Sequence, residues 1–457
     1  MKSLQRLCFA ACALFVLSLP LTTVALAQQI AGKIPERAFT LEECLKIAAG
    51  ENLDVQDALT RFEDAAASTR RAFGQYLPSV SVTLGYDRNL NSVTAFNFGG
   101  QVTEVPITNP NFFFASGNIN YLLFDGLARE HNNAAAQASL TSANQNAIFT
   151  RRRILNTVRS QYLNVLRAKQ TLNIRREDFE VGKKQLERLR AQFEAGVVAI
   201  ATVYTQEADV ANRELAIVQA ENDLEIAKGT LLATLGMDPT ANVDFTDITI
   251  PASIGESEIQ AFRASIGNLN QAQRLASEKR LDVASAQSSV EAAQAGVRAA
   301  QGSWLPTLSA SYRYSWNGNN VELFGFGAQQ GLGVVLSYPL FNGFQREVDI
   351  QRAQIREQQA AIQKRFTEQR LSVDVQNALA QLNAAEKSLD ITNRALKAAQ
   401  QNFDAAEERF KVGAANILDY TTANSNLATA RINRSNALYN YIAAQYQTQF
   451  ALGLLEE

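Results

Sequence analysis

Residues 127–194 read LAREHNNAAAQASLTSANQNAIFTRRRILNTVRSQYLNVLRAKQTLNIRREDFEVGKKQLERLRAQFE, with neither a proline nor a cluster of turn residues. Residues 344–411 do the same over an equal 68 positions, and Gly182 is the only glycine inside either run. At about 1.5 Å of rise per residue, each run predicts a helix of roughly 100 Å, far longer than a compact domain needs. The distal halves carry an apolar heptad, Val158, Val165, Leu172, Phe179, Leu186 and Phe193. Its counterpart is Val375, Leu382, Leu389, Leu396, Phe403 and Phe410. A strict seven-residue apolar repeat imposes a left-handed supercoil. The proximal halves (Ala134 to Asn146, Gln351 to Gln363) are rich in Ala, Gln, Asn and Ser, which suits close packing on a smoother surface.

Both runs stop at a glycine, Gly196 or Gly413, and a further helix follows, about Thr202 to Leu235 and Leu418 to Leu452. Each is long enough to fold back along the heptads, so each half of the chain ends in a coiled-coil hairpin. The halves are copies. Phe193-Glu194-Ala195-Gly196 recurs as Phe410-Lys411-Val412-Gly413, and Leu123-Phe124-Asp125-Gly126 as Leu340-Phe341-Asn342-Gly343, both at an offset of 217. Upstream, Gly74-Gln75-Tyr76-Leu77-Pro78 recurs as Gly302-Ser303-Trp304-Leu305-Pro306 at an offset of 228. The 11-residue difference lies between these landmarks and marks an exposed loop, since loops accept length changes that packed elements do not.

Between the landmarks the period changes from helical to two. A helix from about Leu53 to Gln75, matched by Leu281 to Ser303, ends at a proline in each copy. Then Val80, Val82, Leu84 and Tyr86 alternate with Ser79, Ser81, Thr83 and Gly85. The second copy alternates Leu308, Ala310, Tyr312, Tyr314 and Trp316 with polar residues. One apolar and one polar face over about ten residues is the pattern of a half-buried or lipid-facing strand. The strands are expected at about 79–88 and 115–124, and at about 307–316 and 331–341. The loops inside these hairpins, about Asn89 to Phe114 and Asn317 to Gln330, read as irregular. The first repeat spans residues 28–235 and the second 266–457, joined at 236–265 by a small irregular connector that holds Pro239, Pro251 and short β-prone pieces such as Val243-Asp244-Phe245.

Lys2 and Arg6 before the apolar run Leu7–Leu19, followed by Ala25-Leu26-Ala27, form a secretory signal peptide over residues 1–27. Only Cys44 then remains, which excludes an internal disulfide and reads as a small packing residue. Forty-one basic against 45 acidic residues beyond the signal give a net charge of −4, which argues against nucleic-acid binding. The single histidine, His131, has no second imidazole or thiolate to share a metal with, and no nucleophile–base constellation occurs. Neither an enzyme nor a cofactor is expected.

Nothing after the signal reads as a transmembrane helix, so a membrane crossing would need strands closed into a barrel. Four strands are too few for one chain, because the smallest membrane barrels have about eight; two, three or four chains would serve. The order helix, Leu-Pro, strand hairpin, Leu-Phe-x-Gly, long helix, Gly turn, helix, given twice over about residues 40 to 453, resembles the TolC-type outer membrane factor family. The resemblance implies a mainly α fold with a membrane β-barrel part. A homotrimer's twelve-strand barrel in outer-membrane lipid would continue as a twelve-helix α-barrel through the periplasm. It also implies the function: the outer-membrane channel of a tripartite efflux or type I secretion system. Such a channel receives small molecules or polypeptides from a periplasmic adaptor and an inner-membrane pump of RND or ABC type. A periplasmic coiled-coil adaptor or a structural coiled coil is the alternative. An adaptor would show one hairpin between paired β segments, and a structural coiled coil would leave the strands unexplained.

In that family the gate lies where the hairpins converge. Asp419 falls where the family places a lumenal carboxylate ring, and the second ring position is Thr422. The family's tip arginine corresponds to Ala415 and its aspartate partner to Thr202, so the familiar ionic latch is not reproduced. Asp419 reads either as a cation-attracting ring residue, with apolar packing closing the tip, or as a cap of the following helix. The tip turns, with Gly196, Val197, Ala199, Gly413, Ala414 and Asn416, are the expected adaptor contacts. Tyr76, Trp304, Tyr121 and Tyr338, near the strand ends, would suit a membrane-interface belt.

Overall fold

The computed structural model describes residues 38–90, 93–106, 109–246, 251 and 253–455, so the signal peptide expected at 1–27 lies outside the described residues. The chain opens with β1 (Ala38–Phe39), α1 (Leu41–Glu51) and α2 (Leu53–Gly74), then the strands β2 (Ser79–Arg88), β3 (Val93–Phe98), β4 (Gln101–Pro106) and β5 (Asn111–Phe124). The first helical hairpin follows, α3 (Ala128–Glu194) and α4 (Ile200–Thr234), and then β6 (Asp244–Phe245) and α5 (Glu256–Ile266). The second half consists of α6 (Leu269–Lys279), α7 (Leu281–Gln301), β7 (Thr307–Gly318), β8 (Gln329–Ser337), α8 (Gln345–Lys411) and α9 (Ile417–Ala451).

The duplication holds at the level of single residues. The bounds of α1 become those of α6 when 228 is added, and those of α3 and α4 become those of α8 and α9 when 217 is added. The same local chemistry starts both short helices. Thr40 and Glu43 form a capping box on α1, and Asn268 and Gln271 form one on α6; each satisfies two otherwise orphaned helix N–H groups. At the strand-to-helix corner Leu127 and Phe344 both take left-handed backbone (φ 66° and 65°). A non-glycine residue rarely tolerates that conformation, so the corner is over-determined by its surroundings.

Several details differ from expectation, with β7 running on to Gly318 and β8 beginning at Gln329. The first loop, read as irregular from Asn89 to Phe114, contains the β3–β4 hairpin, and the returning strand begins at Asn111 rather than about 115. The second returning strand ends at Ser337 rather than 341, because Pro339 cannot donate to a ladder and the chain turns towards α8. The connector is not irregular throughout: β6 pairs in parallel with β1, and Ile259, Phe262 and Ile266 turn one face of α5 onto the core.

The main sheet runs β2-β5-β7-β8 with every pair antiparallel. Its register aligns Val80, Ile119, Tyr312 and Leu332 across all four strands, and Ser81, Asn118, Arg313 and Gly331 one step along. Because side chains alternate, the first row lies on one face and the second on the other. The apolar face is bare: Val80, Val82 and Leu84 are about seven-tenths exposed (68, 72 and 71%). Leaving that much hydrocarbon in water is unfavourable at roughly 25 cal/mol per Å², and lipid removes the penalty. No described helix is long and apolar enough to cross a membrane.

Beyond the sheet, α3 and α8 run the full length of the helical part. In the proximal half α2 packs on α3, and α7 lies between α3 and α8. The small residues expected there let α7 approach closely, with the Ser142 hydroxyl 2.8 Å from that of Ser289 and 2.9 Å from that of Ser285. In the distal half the neighbours become α4 on α3 and α9 between α3 and α8. The heptad residues Val158, Val165, Leu172, Leu186, Val375, Leu382 and Leu389 are buried, whereas Phe193 at the far end is exposed. Two apolar cores sit midway. One joins α1 to the first hairpin through Cys44, Tyr162 and Phe245, and the other joins α6 to the second through Ala272, Val375 and Tyr441. Cys44 and Ala272 are the same position in the two copies, both fully buried, so the thiol occupies a small-residue slot.

Candidate functional site: a strand–helix collar and a clamped tip

A charged collar joins sheet to helices. Arg129, in the first turn of α3, donates from Nη1 to the Leu122 carbonyl (2.7 Å) and from Nη2 to that of Leu123 (3.1 Å). Its Nε lies 3.3 Å from Asp125 Oδ2, and its guanidinium sits 5.3 Å from the Tyr76 ring centre. The second copy rebuilds the corner with Arg346, which donates to the Pro339 carbonyl (2.5 Å) and stacks 4.3 Å from the Trp304 ring centre. Both arginines are buried. A planar guanidinium can bind carbonyls through its edge and a ring through its face, which an ammonium cannot. Tyr76 and Trp304, expected as interface aromatics, are therefore also the stacking floors of this collar. Tyr121 is partly exposed on β5, and Tyr338 is exposed one residue past β8. The arginines were missed in the sequence, although both stand three residues after the Leu-Phe-x-Gly landmark.

At the opposite end the two helical hairpins meet. Asn416 caps α9, its side chain accepting from the Asp419 N–H at 2.8 Å. Asp419 is therefore not the cap: it sits in the first turn with its side chain exposed, and Thr422 is exposed one turn on. Thr202 and Ala415 are half-buried; Gly196, Val197, Ala199, Gly413, Ala414 and Asn416 are exposed on the tip turns. Ile417 packs on Leu186, Leu189 and Val203 of the first hairpin. Tyr420 is buried between Phe403 and Phe410, with ring centres 5.7 and 5.3 Å away, and burial pushes its hydroxyl pKa up.

Above this apolar contact lies a buried ionic clamp. Arg213 of α4, 7% exposed, pairs through Nη1 with the Asp178 carboxylate of α3 and donates to its carbonyl at 2.9 Å. Its Nε donates to Asp209 Oδ2 at 2.7 Å. Asn424 of α9 donates to the same Asp178 carboxylate at 2.8 Å, tying the second hairpin to the first. Burial pushes the Asp178 carboxyl above the usual carboxylate range, and Arg213 and Asn424 offset part of that. In the second copy Ala395, Ala399 and Ala430 stand where the first has Asp178, Gly182 and Arg213. The contact between the two hairpins below the clamp is thus apolar, through Ile417, while ion pairs flank the tip turns at Lys411–Glu408 and Arg190–Glu207. The signal for the clamp was Gly182, the lone glycine of the long helices.

Stacked apolar and polar sheet faces, paired long hairpins and a duplicated strand–helix corner describe a conduit. The Outer membrane efflux protein family profile matches residues 44–237 and 272–454, and the chain belongs to that family. It is similar to the outer membrane efflux protein BepC of Brucella suis, 25% identical over 339 residues that cover 73% of this chain and 71% of that one. It is 27% identical to protein CyaE of Bordetella pertussis over 422 residues, covering 91 and 83%. Among solved structures, the outer membrane protein VceC of Vibrio cholerae superposes with a TM-score of 0.74 over 90% of this chain and 96% of that one, at 19% identity, and supports the fold. As a TolC-family member the chain is a passive duct of a tripartite transport system, placed in the outer membrane with its helices in the periplasm, and not an enzyme.

Proposed function

We propose that three copies close into one channel that carries small molecules or polypeptides from an adaptor and an RND or ABC pump to the outside. The carrying observation is that β2 and β8 form the edges of a sheet whose apolar face is bare. An open edge cannot persist in lipid, so β8 of one copy must pair with β2 of the next. The duplication supplies the register. Within the chain Ile119 of β5 pairs with Tyr312 of β7. Adding 217 to the first and subtracting 228 from the second sets Leu336 opposite Leu84 of the neighbouring copy, both on the apolar face. Three copies of four strands supply twelve, within the range of closed membrane barrels.

In this reading the tip turns around Gly196 and Gly413 receive the adaptor, and three Asp419 side chains ring the constriction. Tyr76, Trp304, Tyr121 and Tyr338 lie at the membrane–periplasm boundary. The test is oxidation of a Leu84→Cys/Leu336→Cys variant in outer-membrane extracts. A covalent trimer confirms the closure; a covalent dimer or tetramer as the end product overturns the stoichiometry, and no cross-linking overturns the pairing.

A further inference from the structure

We infer that the β7–β8 loop, residues 319–328, is a membrane-inserting element whose partner is the acyl chains of the outer leaflet. Trp316 lies on the apolar sheet face, in register with Ala115 and Leu84. It is nonetheless buried, because the loop folds back over it. The Trp316 indole N–H donates to the Phe326 carbonyl at 3.2 Å, and the Phe324 ring meets the indole edge-on at 4.9 Å. Gly325 passes over the Tyr314 hydroxyl, on the same face. A loop closing over the channel mouth would instead cover Ser315 and Asn317 on the polar face.

Folding back brings the loop level with the last membrane-facing rows instead of letting it stand in water. Beside the exposed polar groups Asn319, Asn320 and Glu322 it turns large apolar side chains outward: Leu323 is 57% exposed, Phe324 48% and Phe326 83%. These groups stand over Trp316, on the same sheet face as the bare band of Val82 and Leu84, which fixes the occupant, since the surface beside a lipid-facing band is lipid. Asn320 caps the loop's single helical turn by accepting from the Glu322 N–H at 2.9 Å, which satisfies a backbone group that acyl chains could not. Aromatic and aliphatic side chains at this depth act as the apolar face of an interfacial anchor does.

The inference rests on the outer-membrane placement of the sheet, and the test separates the two. Cys44 is buried, so a Phe326→Cys variant of the full trimer can be labelled with an environment-sensitive fluorophore and reconstituted in phosphatidylcholine vesicles. Val82→Cys is the control for the sheet. Expected is loss of most of the Phe326 label's emission to lipid-borne nitroxides near the headgroup, with protection from aqueous iodide. Lipid quenching at Val82 but only iodide quenching at Phe326 overturns the loop inference alone. Iodide quenching at both positions overturns the membrane placement of the sheet. Leu323→Cys repeats the measurement should Phe326→Cys fail to trimerise.

Discussion

A Cβ on Gly182 would lie 2.9 Å from Cδ of Arg213, so the missing side chain on α3 is the space through which the arginine of α4 reaches Asp178. One glycine in a helix costs about 1 kcal/mol relative to alanine, and here the cost is offset by a buried guanidinium that joins α3 and α4 and, through Asn424, α9. Arg213→Met should destabilise the protein by about 3–5 kcal/mol, because Asp178 is left buried without its partner. Arg213→Met/Asp178→Leu should recover much of that loss. Thermal unfolding of the detergent-solubilised protein checks both, and a double variant as unstable as the single one would contradict the account.

The collar predicts a chemical preference. Arg346→Lys should behave much like Arg346→Ala, because an ammonium cannot both bind the Pro339 carbonyl and lie flat on Trp304. Each should cost about 1–3 kcal/mol for the carbonyl left unsatisfied. The observable is the temperature at which the assembled species dissociates on gels. A lysine variant as heat-resistant as wild type would show that charge alone suffices.

Exposed Asp419 predicts an electrostatic effect without a structural one. Asp419→Ala should reduce cation preference and weaken block by multivalent cations in planar bilayers, while the unfolding free energy stays within about 0.5 kcal/mol of wild type, as for a surface substitution. Unchanged selectivity would remove Asp419 from the constriction.

The β1–β6 contact carries a pH signature. Desolvation at this contact raises the pKa of the exposed Asp244, but hydrogen bonds from Lys169 at 2.8 Å and from the Phe245 N–H outweigh this and hold it below the ordinary 3.8. A depressed carboxylate contributes stability that is present above its unfolded pKa and lost as pH falls through the folded one. Asp244→Asn should therefore be less stable than wild type at neutral pH, by about 0.2–1 kcal/mol for so exposed a pair. The gap should close below pH 3.8. A gap unchanged in acid would exclude the ion pair as its cause.

Much of this architecture was legible because repetition is a strong signal. The offsets of 217 and 228 fixed equivalent elements to the residue, and alternation gave the correct sheet face for Val80 through Tyr86. The β3–β4 hairpin went unread although Gly99-Gly100 marks it: both take positive φ, 56° and 92°, as a two-residue hairpin turn requires. In α5, Ile259, Phe262 and Ile266 follow a helical period too short to stand out just after Pro251. Arg213 was invisible for a different reason. Sequence patterning finds buried groups by their hydrophobicity, so a buried charge registers only as an interruption, and the clamp around it is drawn from three helices, α3, α4 and α9.

The clamp also has a mechanical consequence. The seam between α3 and α9 inside each chain is pinned by Asp178, Arg213 and Asn424. The equivalent seam between chains would bring Ala395 of α8 to Glu207 of the next α4, with nothing to pin it. The wall of the proposed trimer would then be a staved cylinder in which pinned and plain joints alternate. In the proposed trimer a radial load at the tip would fall on the plain joints first, and the bore would widen in three slots between rigid pairs of staves.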